Sequence, residues 1–255
     1  MLRHRPPLVL AYHGIGEVPP RHDPYGLFVR PADFRRHVRR LRSWGYRFLR
    51  FGELAAHVAR GGEDVAARCA LTFDDALTDG RTGLGPLLQE LDVPATLFVP
   101  TALMGRPHPD ARGRVMSADE VADLDPASVE VGSHSDSHRD LSALPFAEAR
   151  DDLERSRRRL EDVVGRPVRV AAYPFGRATE DTVRACREAG FESACLISGE
   201  GSWRDPFRIP RQDMDAAGTM LGLWLKRDDR YEPLMRTVPG RAGRRLVRSW
   251  RTLTR

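Results

Sequence analysis

The chain has 255 residues, 41% hydrophobic and 30% charged, with a formal net charge of +5. That length suits one large α/β domain, since such barrels run ~200–250 residues as a unit, and the composition excludes long disorder. Six arginines and no acid lie in the final "RAGRRLVRSWRTLTR" (241–255), so the rest of the chain carries a net −1, which argues against a nucleic-acid-binding body.

The opening "MLRHRPPLVLAYHG" begins with basic residues as a targeting segment does, but its apolar stretch covers only Leu8 to Tyr12 before His13. It reads as a first strand. Phe34, Val38 and Leu41 recur at helical spacing behind Pro31, with Gly45 placed as a stop, and predict a first helix. "YRFL" (46–49), "CALTF" (69–73) and "ATLFV" (95–99) follow as buried strands. The segment "PTALMGRPHPDARGRVM" (100–116) is a loop long enough to border a site, and Ser117 and Glu120 have capping-box spacing. Then come "VEV" (129–131), an arginine- and glutamate-rich helical stretch from Pro145 to Val164 ended by "GRP", "VRVAA" (168–172) and "SACLI" (193–197). No apolar run approaches the ~18 residues of a membrane span, so no device for spanning or export is visible. Cys69, Cys186 and Cys195 form no CxxC pattern, which fits a reducing, cytoplasmic location.

Strand alternating with helix argues for a parallel sheet with crossover helices. Seven or so units suit a closed or nearly closed α/β barrel; a doubly wound open sheet is the alternative. In either fold, functional groups collect at the carboxyl ends of the strands. His13, the pair Asp74 and Asp75, His134, and Tyr173 with Pro174 all follow predicted strands and would face one end.

Paired acids in "TFDDA" can divide labour, one binding a cation while the other handles a proton. Successive side chains of a strand point opposite ways, so both reach one site only if the strand ends there. A helix N-terminus rich in Asp is the plainer alternative. In "GSHSDSH", His134 and His138 stand four apart, as two ligands of one ion or as two solvated loop histidines; the first reading needs a third ligand from elsewhere. Two histidines and a carboxylate with an open position suit catalytic zinc and some other divalent ions. Such a site lowers the pKa of water toward ~7, and hydrolysis is its natural chemistry.

"TFDDA" (72–76), "GSHSDSH" (132–138) and "AYPFG" (172–176), in that order, resemble the first three motifs of the polysaccharide deacetylase family, the NodB-homology domain of carbohydrate esterase family four. The resemblance covers roughly residues 8 to 212. It implies a distorted (β/α)7-type barrel that removes acetyl groups from N-acetylated sugars. It implies Asp75, His134 and His138 as metal ligands, Asp74 as general base toward the attacking water, and the backbone N–H of Phe175 as an oxyanion donor. Zinc is the first choice of metal, with cobalt, nickel or manganese as alternatives.

The chain also departs from that pattern. Ala171 and Ala172 stand where many members carry an arginine that fixes the base; Arg211 or Arg208 in "FRIPR" is the substitute, Arg211 first. No histidine follows His138, whereas many members end with a Leu-x-x-His motif supplying the general acid. The stretch "LVLAYHGIG" is similar to the N-terminal Tyr-His segment of a subgroup associated with exopolysaccharide synthesis, which makes His13 the replacement acid; a loop histidine that merely hydrogen-bonds is the alternative. His4, His22, His37, His57 and His108 read as structural, in polar or surface-like contexts.

The expected organisation is a barrel domain over 1–230 and a basic tail over 231–255. In the tail Leu246, Trp250 and Leu253 fall at i, i+4 and i+7 among arginines, as in a helix resting on the inner face of a membrane or packing on the domain. The expected partner is a glycan, with no nucleic acid. Three functions fit: an N-deacetylase on a hexosamine-containing polysaccharide or its precursor, an O-acetyl esterase or non-sugar amidase using the same site, and a glycan-binding protein that has lost catalysis.

Overall fold

A computed structural model describes residues 5–61, 65–79, 83–109, 113–197, 201–214 and 220–227. The expected domain boundary at 230 and the basic tail lie outside these residues, as does His4. Eight parallel strands dominate: β1 (Leu8–Tyr12), β2 (Arg47–Leu49), β3 (Arg68–Phe73), β4 (Ala95–Val99), β5 (Val129–Ser133), β6 (Val170–Ala172), β7 (Ser193–Ile197) and β8 (Ile209–Asp213). Seven of them close a ring in the order β1-β3-β4-β5-β6-β7-β8, and β8 returns to pair with β1. The open doubly wound sheet is thereby excluded.

The barrel is distorted at β3. One edge pairs with β1 along its length, while the other is shared, residues 68–70 pairing β2 and residues 72–73 pairing β4. The strand β8 escaped the sequence reading because "IPRQD" has no apolar run, yet it closes the ring and carries Arg211.

Strand alternation sorts the side chains into two cores. Outward residues such as Leu10, Leu71, Leu97, Val131 and Leu196 pack under the helices in one large cluster. Inward residues Val9, Ala70, Phe98, Val170, Ala172, Cys195 and Ile209 form a second, smaller one. Helix α2 (Phe51–Ala59) adds Phe51, Leu54, Ala55 and Val58 to this inner cluster and closes the amino-terminal end of the barrel, Phe51 meeting Phe98 edge-on at 5.7 Å. Gly132 is required here, since a Cβ would lie 2.6 Å from the Phe98 ring and 2.8 Å from Val170.

The predicted helix starts are borne out in α1 (Pro31–Ser43), behind Pro31, and in Ala118–Ala122, where Ser117 and Glu120 form the capping box. The helix Phe146–Val164 ends at Gly165, whose φ of 64° is the left-handed cap that glycine adopts without strain. No helix among the described residues is long and apolar enough to cross a membrane. All three cysteines are free and buried, and burial raises each thiol pKa, Cys186 to about 12, so none is poised as a nucleophile.

Candidate active site

The same alternation that fills the inner core aims the next residues of each strand into the carboxyl-terminal mouth. The inward rows Val9–Ala11, Ala70–Thr72 and Glu130–Gly132 continue as His13, Asp74 and His134, and β8 contributes Arg211 between Ile209 and Asp213. These groups and Asp75, His138, His108 and Phe175 surround a cavity of about 400 Å³, except Arg211, which lies beneath it.

Asp75 should point away from Asp74 if the strand continued. Instead Asp75 has φ 64° and Ala76 φ 46°, both left-handed, and the turn brings both carboxylates to one site. Left-handed backbone costs about 1–2 kcal/mol for each non-glycine residue, so the surroundings must hold it. Tyr12 O accepts from Asp74 N at 2.8 Å, and Ala76 O accepts from Met116 N at 2.9 Å.

Asp75 Oδ1 lies 3.0 Å from His138 Nε2 and 3.5 Å from His134 Nε2. The donor atoms of Asp75, His134 and His138 all fall within 4.8 Å of one another. Two observations fit these groups to a cation. Asp75 Oδ1 is buried without a hydrogen bond of acceptable geometry, an orphan that a bound cation would satisfy. His134 Nδ1 is 2.8 Å from Ala172 O, and a carbonyl only accepts, so Nδ1 carries the proton and the Nε2 lone pair faces Asp75. Burial lowers the His134 pKa against the opposing pull of Asp74 and Asp75, which keeps the ring neutral as a ligand must be. His138 comes from the loop after β5. Its own φ is 56°, and its N–H donates to Ser135 Oγ at 2.9 Å.

Asp74 is held differently. Arg211 grips it with two hydrogen bonds, Nη1 to Oδ1 at 2.6 Å and Nη2 to Oδ2 at 2.8 Å. Arg211 is wholly buried, also donates to Thr72 Oγ1 and Leu196 O, and lies over the Phe98 ring. Burial would raise the Asp74 carboxyl; the charge of Arg211 and the Arg211 hydrogen bonds outweigh it and hold the pKa below its ordinary value. Asp74 is therefore an ionised carboxylate in a dry setting. Arg208, the other candidate, instead pairs with Glu180 and Asp205 at the surface.

His13 is half-buried and lines the same cavity. Phe175 sits in the turn Pro174–Gly176 with φ 58° and is 54% exposed, its ring 5.3 Å from that of His138. Tyr173, which follows β6, turns outward into the large core and donates to Phe207 O.

The reading of the remaining histidines needs correction. His108 is buried in the cavity, its Nε2 3.3 Å from Asp75 Oδ2 and its ring 6.0 Å from His138. The available signal was the loop 100–116 itself, long enough to border a site and carrying a histidine between two prolines. His37 is buried as well, against Tyr12, whose hydroxyl lies 3.2 Å from its Nδ1.

The family model for polysaccharide deacetylases matches residues 62–194, slightly more than half of the chain. The chain belongs to the polysaccharide deacetylase family. A relative of Bacillus subtilis (strain 168), YxkH, a polysaccharide deacetylase by name, is 21% identical over 197 residues, covering 77% of this chain and 66% of YxkH, just under two thirds of its length. Among solved structures, the Streptococcus pyogenes deacetylase PplD in complex with acetate superposes with a TM-score of 0.73 at 20% identity, over 87% of this chain and 97% of that one. IcaB from Ammonifex degensii gives 0.73 at 20% identity, over 88% and 96%. At such identities the structures establish a common fold, the NodB-type barrel.

Proposed function

We propose that this deacetylase-family protein is a metal-dependent hydrolase that removes N-acetyl groups from a hexosamine-containing polysaccharide or its precursor and releases acetate. The observation that carries the reading is the division of labour between adjacent carboxylates. Asp74 is ionised and clamped by Arg211, while Asp75 faces two histidines with an orphaned oxygen.

Asp75, His134 and His138 would hold the ion, with zinc favoured by the mixed imidazole and carboxylate donors. A divalent ion there supplies Lewis-acid polarisation of an acyl carbonyl and makes hydroxide accessible near neutral pH. Asp74 accepts the proton of the attacking water, and Arg211 keeps it ionised and oriented for that task. The backbone N–H of Phe175 supports the developing oxyanion. His13 hands a proton to the departing amide nitrogen, which leaves poorly as an anion. Water is thereby added across the C–N bond, giving acetate and a free amine.

The test is acetate release by metal-loaded protein from chitin oligomers, acetylated xylan and bacterial exopolysaccharide. Release from an N-acetylated glycan, lost in Asp74→Asn and on chelation, is expected. Release from xylan alone would favour the O-acetyl esterase, and no release from any substrate by a protein that binds metal would favour a glycan-binding role.

A further inference from the structure

The cavity contains one buried imidazole to which the proposed reaction gives no task. His108 belongs to an arm whose described parts, 105–109 and 113–116, the backbone ties to the metal-binding turns. At its root, Thr101 N donates to Ser135 O at 3.1 Å, Ala102 N donates to Asp136 O at 2.9 Å, and Thr101 Oγ1 donates to Asp136 Oδ1 at 2.6 Å. Those acceptors lie between His134 and His138. Asp136 N is fixed in turn by Asp152 Oδ1 at 2.8 Å.

At its far end the arm grips the turn that carries Asp75. Met116 N donates to Ala76 O, and Arg114–Val115 pairs antiparallel with Leu77–Thr78. Within the arm, Val115 N donates to Arg106 O at 2.9 Å and His108 N to Gly113 O at 3.1 Å, so His108 is presented from a paired backbone.

The two oxygens of Asp75 face different neighbours. Oδ1 looks toward His134 and His138, while Oδ2 lies 3.3 Å from His108 Nε2, within reach of a hydrogen bond but outside its angular range as the two side chains stand. His108 is not among the three residues whose donor atoms form the compact cluster. An unrestrained carboxylate can rotate or offer both oxygens to an ion; a hydrogen bond to one oxygen leaves the other as the single ligand.

From this geometry we propose that His108 is a positioning residue of the metal centre, donating from Nε2 to Asp75 Oδ2 so that Oδ1 alone is turned toward the ion. The inference rests on the metal site proposed above and adds residues 105–109 and 113–116 to it. The arm thereby couples the left-handed turn at Asp75 and Ala76 to the loop that carries His138.

The experiment measures Zn²⁺ affinity by competition with a chromogenic chelator for the wild type, His108→Ala and His108→Gln, with thermal melts of the metal-free proteins. Glutamine keeps an N–H donor at nearly the same reach. His108→Ala should weaken Zn²⁺ binding about 10–100-fold, as loss of a hydrogen-bond partner to a metal ligand commonly does, while His108→Gln should stay within a few-fold of the wild type. The visible absorption of the Co²⁺ forms should differ between wild type and His108→Ala and be restored in His108→Gln. Unchanged affinity in His108→Ala would overturn the proposal. Equal loss in both variants would also overturn it, because donation from Nε2 would then not be the operative contact. A wild type that binds no Zn²⁺ would instead sink the metal site itself, and this proposal with it.

Discussion

Each end of the barrel holds an inward carboxylate, wholly buried at one end and half-buried at the other, and the two are treated in opposite ways. At the carboxyl-terminal mouth, Asp74 meets a wholly buried guanidinium and its pKa falls. At the amino-terminal end, Glu130 points inward one step along β5 and accepts from neutral donors, Thr96 Oγ1 at 2.7 Å and Gly52 N at 2.9 Å, the latter at the start of α2. Burial is the largest influence on Glu130 and its pKa rises, the hydrogen bonds and Arg50 offsetting it only in part. Burial alone therefore does not hold a carboxylate ready as a base. A buried cation that keeps it ionised does, and among these two ends the cation is at the mouth.

Removing the charge at the mouth should have the largest effect. Asp74→Asn should lower kcat/KM for acetate release about 10²–10⁴-fold, the usual share of a positioned base, while Zn²⁺ content measured by metal analysis is retained. Retained activity would mean that the charge contrast between the ends has no catalytic meaning.

Removing the cation should make the mouth resemble the other end. Arg211→Met strands a buried carboxylate and should cost about 3–5 kcal/mol in urea denaturation. The pKa of Asp74 is depressed in the folded wild type, so its pairing stabilises the protein above the ordinary carboxylate range and that contribution is lost as pH falls through the depressed value. Without Arg211 the depression is lost, and the acid limb of the activity profile should move to higher pH. A profile identical to the wild type would contradict the role assigned to the pair.

Between the two ends, Gly132→Ala should cost about 1–3 kcal/mol, because the added methyl meets Phe98 and Val170 and the inner core can yield only by shifting the ring over which Arg211 lies. The check is again urea denaturation, combined with the pH profile of any residual activity.

The smallest effect belongs to the amino-terminal end. With a raised folded-state pKa, Glu130 contributes stability below the ordinary carboxylate range that is lost as pH rises through the raised value. Glu130→Gln should flatten that dependence, changing stability at neutral pH by about 1 kcal/mol and leaving acetate release unaltered. A loss of activity comparable to that of Asp74→Asn would erase the distinction between the ends.

The strands that were legible are those with apolar runs, because a strand covered by helices outside and packed inside is apolar at nearly every position. β8 was not legible for the same reason: its inward positions include Arg211 and Asp213, since the strand supplies a charge to the mouth. Asp74, Asp75, His134 and His138 could be singled out because each follows a strand or a glycine-led turn in a short motif. His108 was signalled only by its place in a long loop, because its contact with Asp75 depends on a loop path fixed by backbone hydrogen bonds to residues 76, 135 and 136.

The order of residues by itself determined the alternation of strand and helix, the periodicity that divides inward from outward side chains, and the local motifs that carry acids and histidines. Only the tertiary structure decided that the sheet closes through β8 onto β1, that Arg211 reaches Asp74 from 137 residues away, and that His108 meets Asp75. Periodicity is a property of neighbours along the chain. Ring closure and charge pairing depend on distances between segments that the chain brings together only when the whole barrel has formed.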